Sequence, residues 1–148
     1  MKIENQKGAV AVEFAIVLPL LVLLLFGIIE SSLFLYDKTM ITNASREGAR
    51  AGIVYSYPNR ISDEEIATVV KNYCKDNLIT FNDDPDATDP LVVEIARTGS
   101  NSSGDSLTVK VKYRYDFLVL PDISELFGSA DSTSLEINLE AETVMRLE

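Results

Sequence analysis

The feature that most constrains this chain is the run AVAVEFAIVLPLLVLLLFGII, from Ala9 to Ile29, which holds one charged residue, Glu13. As a helix its 21 residues extend about 31 Å, enough to cross the hydrocarbon core of a bilayer. Such a segment can be an uncleaved signal anchor, a secretory signal or a processed assembly helix. A secretory signal needs small residues after its apolar region. Here Ala9-Val10-Ala11 comes before it, and GIIESSLFLYD after it offers no good A-x-A site.

The third reading accounts for more of the residues. A short polar leader carrying Lys2 and Lys7 ends in Gly8, and the apolar run starts at once. Cleavage after Gly8 would free an amine on Ala9 at the membrane surface. Glu13 lies four residues further, on the same helical face and about 6 Å deeper. A carboxylate buried in a membrane needs a cation, and the new N-terminus of a neighbouring subunit is a suitable one. Pro19, inside the run, removes one helical hydrogen bond and favours a kink. Lys2 and Lys7 argue for a cytoplasmic N-terminus, but Lys38, Arg46 and Arg50 follow on the other side, so charge orients the segment only weakly.

The segment GAVAVEFAIVLPLLVLLLFGIIE, with TNASREGARAG downstream, resembles the TadE-like family, pseudopilins of the bacterial Tad (tight adherence) pilus machinery. The family pattern has a glycine, a glutamate five places later and then an aromatic residue, usually tyrosine. Gly8 and Glu13 match it, and Phe14 keeps the ring without the hydroxyl. The resemblance covers roughly the first third of the chain. It implies a prepilin peptidase that cleaves between Gly8 and Ala9, other pilin or pseudopilin subunits and the pilus assembly platform as partners, and membrane lipid around the helix. It also implies an anchor in the cytoplasmic (inner) membrane with the C-terminal part outside the cytoplasm. Residence in the membrane, priming of the fibre and incorporation into an extracellular pilus all fit the sequence.

Composition narrows the remaining choices. The 148 residues include 23 acidic and 13 basic ones, a net charge of −10, and no histidine. An acidic chain repels nucleic acid. Without histidine it lacks the commonest general base and the commonest metal ligand. A single cysteine, Cys74, excludes an internal disulfide.

Past Glu30 the helix is expected to continue to about Tyr55, with Leu33, Met40, Ala44, Gly48 and Ala51 as a packing stripe. Ala44, Gly48 and Gly52 place three small residues at four-residue spacing, which allows close approach to another helix or to the chain's own sheet. Arg46 and Arg50, one turn apart, read as a solvated face. Pro58-Asn59 breaks the chain, and Ser62 with Glu65 makes a capping box for a second helix. Its apolar face carries Ile66, Val69, Val70, Tyr73, Cys74 and Leu78, which makes Cys74 a core residue rather than a reactive thiol. The loop FNDDPDATDP holds Asp83, Asp84, Asp86 and Asp89. Counted as a calcium loop from Asp84, it has Asp89 where glycine belongs and Ile95 where glutamate belongs, so it reads as a solvated acidic loop.

Three strands complete the chain: LVVEIART, SLTVKVKYRYDFLVL and SLEINLEAETVMRLE. Lys110, Lys112 and Arg114 form a basic stripe whose natural partner is the acidic stripe Glu136, Glu140 and Glu142 on the last strand. LPDISELFGSADST between them is expected to form one turn, capped at Asp122 and ended at Gly128, whose Ile123, Leu126 and Phe127 either cover the sheet edge, the favoured reading, or protrude as a docking knob.

The expected fold is α+β: a long N-terminal membrane-spanning helix, then a small head of one amphipathic helix and an antiparallel sheet of about three strands. Residues 1–8 form the leader, 9–56 the membrane helix and its extension, and 57–148 a head expected to fold without the anchor. No nucleophile–base pair, phosphate loop or metal cluster stands out, and no cofactor is implied. A structural pseudopilin is therefore the leading class. An uncleaved membrane-anchored accessory protein whose head binds a partner is the alternative, and an enzyme is a distant third.

Overall fold

The computed structural model describes residues 4–54, 60–79, 91–99, 102–115, 117 and 137–148. The Pro58-Asn59 break, the acidic loop from Asp83 to Asp89 and the turn between Asp122 and Gly128 lie outside them.

Helix α1 runs unbroken from Glu4 to Ile53, 50 residues and about 75 Å long. It continues through Pro19, where the ring leaves the Ala15 carbonyl without its usual donor. Helix α2, Asp63–Asn77, starts at the expected capping box. The Glu65 amide donates to Ser62 Oγ at 3.2 Å, and the Ser62 amide donates to Glu65 Oε2 at 2.8 Å. Two otherwise orphaned amides are thereby satisfied, which stabilises a helix start by about 1 kcal/mol.

Strands β1 (Leu91–Arg97), β2 (Ser106–Tyr115) and β3 (Ile137–Arg146) form one antiparallel sheet in the order β1-β2-β3. In the loop between β1 and β2, Gly99 and Gly104 adopt φ of 83° and 96°, where a side chain would be strained. Leu107, Val109, Val111, Tyr113 and Tyr115 face inward from β2. Leu139 and Ala141 do so from β3. Ile66, Val70 and Cys74 of α2 close over them.

The core also contains Ile41, Ala44 and Ala49 of α1. It therefore reaches across the boundary expected at residue 56, because the second half of α1 is one of the layers that bury the sheet. Gly48 and Gly52 set the distance. A Cβ at Gly48 would lie 2.5 Å from Val70 Cγ2 and 3.5 Å from Val109 Cγ1. A Cβ at Gly52 would collide with Leu107 and sit 2.6 Å from Ile66 Cδ1. The small face of α1 thus packs on both the helix and the sheet of its own head.

The expected packing stripe needs correction. Leu33, Met40 and Ala51 are only half-buried flanks. The buried line runs through Glu30, Asp37, Ile41, Ala44, Ser45, Gly48, Ala49 and Gly52. Three of its members are polar, so a search for apolar periodicity places the stripe partly on its neighbours.

On the outer face of the sheet, Lys110 pairs with Glu140 at 3.0 Å and Lys112 with Glu94 at 2.6 Å. Both pairs are diagonal, since Glu94 lies opposite Lys110 and Glu140 opposite Lys112. The basic stripe is therefore shared between β3 and β1, not matched to the last strand alone. The hydrogen bond from Lys112 holds the Glu94 carboxyl below its ordinary range. Arg97 ties β1 to the start of α2, donating to Asp63 Oδ1 at 2.7 Å and to the Ile61 carbonyl at 3.0 Å.

Candidate functional site: a bare helical segment and its junction with the head

Two adjoining regions of α1 carry the candidate site. Between Gly8 and Ile29 the helix is bare. Every large apolar residue from Val10 to Ile29 is exposed, and the most apolar window of the helix has none of its residues buried. This is the one helix, among the described residues, long and apolar enough to cross a membrane. Gly8 and Ala9 are exposed at its start, and a Cβ at Gly8 would meet nothing within 4 Å. Glu13 and Phe14 project from the same bare stretch, as does Pro19. Glu13 follows Ala9 by four residues, so the two share a helical face with about 6 Å of rise between them.

At Glu30 the environment changes within one residue. Glu30 is buried, and Tyr115 Oη donates to its Oε1 at 2.6 Å. Phe34 and Phe117 meet the Tyr115 ring edge-on, with centroids 5.5 and 5.8 Å away. Burial, then the bond to Glu30, pushes the Tyr115 phenol well above its ordinary range, so it stays a proton donor. Two turns on, Asp37 is fully buried and accepts from the Ile79 amide at 3.3 Å, just past the end of α2. Ser45 meets Thr143 of β3 at 2.7 Å between the two hydroxyls. The polar members of the buried stripe thus bind α1 to strands and helix more than forty residues away in the chain.

Cys74 lies beside this network. Burial, followed by the nearby Asp37 charge, pushes its thiol up to about 12, so it is a packed core group and a poor nucleophile. Among the described residues no three histidine, cysteine, aspartate or glutamate side chains converge to hold a metal ion. The aspartates from Asp83 to Asp89 lie outside those residues.

The model of the TadE-like protein family matches residues 8–50. This segment is TadE-like. The match opens at Gly8, takes in the bare helix with Glu13, Phe14 and Pro19, and continues over Glu30, Asp37, Ala44 and Gly48. It stops before α2 and the sheet, so the TadE-like part comprises the bare helical stretch and the layer of helix on which the head is built. No curated protein and no solved structure matches the chain.

Sequence reasoning missed Glu30, Asp37 and Tyr115. Glu30 had a signal, since it ends the apolar run at a point where a continuing helix must turn one face to the head. Its partner is 85 residues away and carries no local mark.

Proposed function

We propose that the protein is a structural pseudopilin of a Tad-type pilus assembly system. A prepilin peptidase cleaves it after Gly8, and the helix from Ala9 onward remains in the cytoplasmic membrane with the head outside the cytoplasm. The bare segment then packs with the helices of other pilin-like subunits and engages the assembly platform. One observation carries this reading. A helical stretch exposed from Gly8 to Ile29 contains the Gly8/Glu13 spacing and falls wholly inside the TadE-like match. Exposed apolar surface on that scale needs lipid or other helices around it.

In this reading Glu13 acts only after cleavage, by pairing with the Ala9 amine of a neighbour and fixing the stagger between packed helices. The subunit contributes position and shape, not chemistry. The test is Glu13→Gln, which keeps size and hydrogen bonding but removes the charge. An ionised side chain costs about 2.5–3.5 kcal/mol at mid-membrane on insertion scales and less near the surface, so the variant should insert at least as well as the native chain. It should still be cleaved after Gly8, yet fail to co-purify with other pilin-like subunits, because an amine left unpaired costs more than the pair contributes. Normal co-purification and piliation would remove Glu13 from assembly and favour an uncleaved accessory anchor.

A further inference from the structure

The head lies lengthwise along α1, so it has a near end, beside the bare segment, and a far end. From Glu30 to Gly52 the helix meets in turn Tyr115, the Glu140 carbonyl (through Lys38), Thr143, Val109 and Leu107. Helix α2 descends the same way. Ile66 faces Gly52, Val70 faces Gly48, and Ile79 reaches Asp37. Tyr115 and its cross-strand partner Ile137 therefore mark the near end of the sheet, and Ser106 with Arg146 the far end. Glu30 is one residue, about 1.5 Å of rise, beyond Ile29, where the exposed apolar run stops. Its partner Tyr115 brings the near end of the sheet to that level.

The exposed apolar side chains of the head are distributed unequally between these ends. Among the described residues past Glu30, Leu35 (62 % exposed), Tyr36, Ile79 (52 %), Val92 and Ile137 (38 %) lie toward the near end. The far end shows only Val54 and Val144. Ile137 is the most telling. It has the parity of Leu139 and Ala141, which face the core, yet it is only partly covered at the start of β3. Such an isoleucine, more than a third exposed at one end of a sheet, is apolar surface whose burial would be favourable.

We propose that the near end of the head is a lipid-docking surface. Leu35, Ile79 and Ile137, with Tyr36, seat in the headgroup–acyl boundary of the bilayer that the bare segment spans. The head then rests on the membrane and does not stand away from it. The inference relies on the bare segment being a membrane span. Lipid is the occupant because this end of the head adjoins that segment: Leu35, its first exposed apolar residue, lies six residues and about 9 Å of rise beyond Ile29. Tyrosine and long aliphatic side chains also suit the boundary layer, where an apolar body and a polar tip are both satisfied.

The chain contains no tryptophan, so a single introduced one reports its surroundings without background. Full-length Ile137→Trp, Val144→Trp and Leu21→Trp are reconstituted into phosphatidylcholine vesicles at high lipid excess. The lipid is brominated either near the headgroup end or deep in its acyl chains. Val144 lies seven residues along the same strand, about 23 Å from Ile137. The expected result is a blue-shifted Ile137→Trp emission lost to shallow bromines, Leu21→Trp lost to deep ones, and Val144→Trp unaffected. Ile79→Trp should behave as Ile137→Trp does, which covers a loss of folding in the latter. With Leu21→Trp quenched, unquenched emission from residues 79 and 137 overturns the proposal and leaves the anchor standing. A blue shift that bromines do not touch and that fades on dilution into more lipid would assign the surface to a second copy and equally overturn it. Quenching at residue 144 as well would mean that the head has no preferred end. No quenching at Leu21 would remove the anchor, and the docking surface with it.

Discussion

One helix, α1, serves two environments, and comparison of its halves shows how sequence assigns them. From Ala9 to Ile29 it is apolar on every side except at Glu13, and its large apolar side chains are exposed among the described residues. From Glu30 to Gly52 it carries a single buried stripe, interrupted by Glu30, Asp37 and Ser45, with Arg46, Glu47 and Arg50 on the exposed side. The first half buries none of its large apolar side chains against the described residues. The second buries its stripe against α2 and the sheet. Backbone geometry is the same in both, so the difference lies in side-chain distribution around the axis. Glycine shows the contrast at the smallest scale: Gly27 has nothing within 4 Å of its missing Cβ, whereas Gly52 is enclosed by Leu107 and Ile66.

The largest expected effect comes from cutting the helix in two places. A fragment starting at residue 57 loses Ile41, Ala44 and Ala49 from the core. Deleting a buried isoleucine side chain alone costs about 2–5 kcal/mol, a large share of the about 5–15 kcal/mol that holds a typical domain. That fragment should bind a hydrophobic dye and melt without cooperativity, while one starting at residue 30 should give a single sharp transition by circular dichroism. Equal behaviour of the two fragments would show that the second half of α1 is no part of the head.

A smaller effect separates the glycines. Gly52→Val drives methyl groups into Leu107 and Ile66, an overpacking worth about 1–3 kcal/mol, and more when combined with Gly48→Val. Gly27→Val should leave the melting of the head unchanged. Thermal denaturation of the detergent-solubilised full chain reads both. The smallest effect is expected at the boundary. Tyr115→Phe leaves the ring packing and removes the donor to Glu30, which costs about 1 kcal/mol, the net contribution of one intramolecular hydrogen bond. A drop of several degrees in the head's melting temperature is the expected readout, and no change would make the bond incidental.

Much of this division could be read from the residues alone. Ser62 and Glu65 announced α2 because a capping box is a local pattern. The alternation from Leu107 to Tyr115 announced β2 because one face of a strand repeats every second residue. The register of the ion pairs was less legible. Lys112 reaches Glu94 and not the last strand, since a lysine between two acidic neighbours can choose either diagonal. The depth to which α1 enters the head was hidden for a different reason. Glu30 and Asp37 are buried by partners far along the chain, and no count of apolar residues marks a carboxylate as interior. In the candidate site, Gly8, Glu13 and the apolar run were legible because spacing and composition carry them. The junction at Tyr115 was not, because it exists only once the sheet has docked.

The central claim is that the bare half of α1 is a processed assembly helix and not a plain anchor. The most direct test is the intact mass of the protein extracted from the membranes of cells that carry the Tad machinery, its prepilin peptidase included. A mature chain that begins at Ala9, with Met1–Gly8 removed and the apolar helix retained, is the predicted result. A chain that still begins at Met1 in those cells would contradict it.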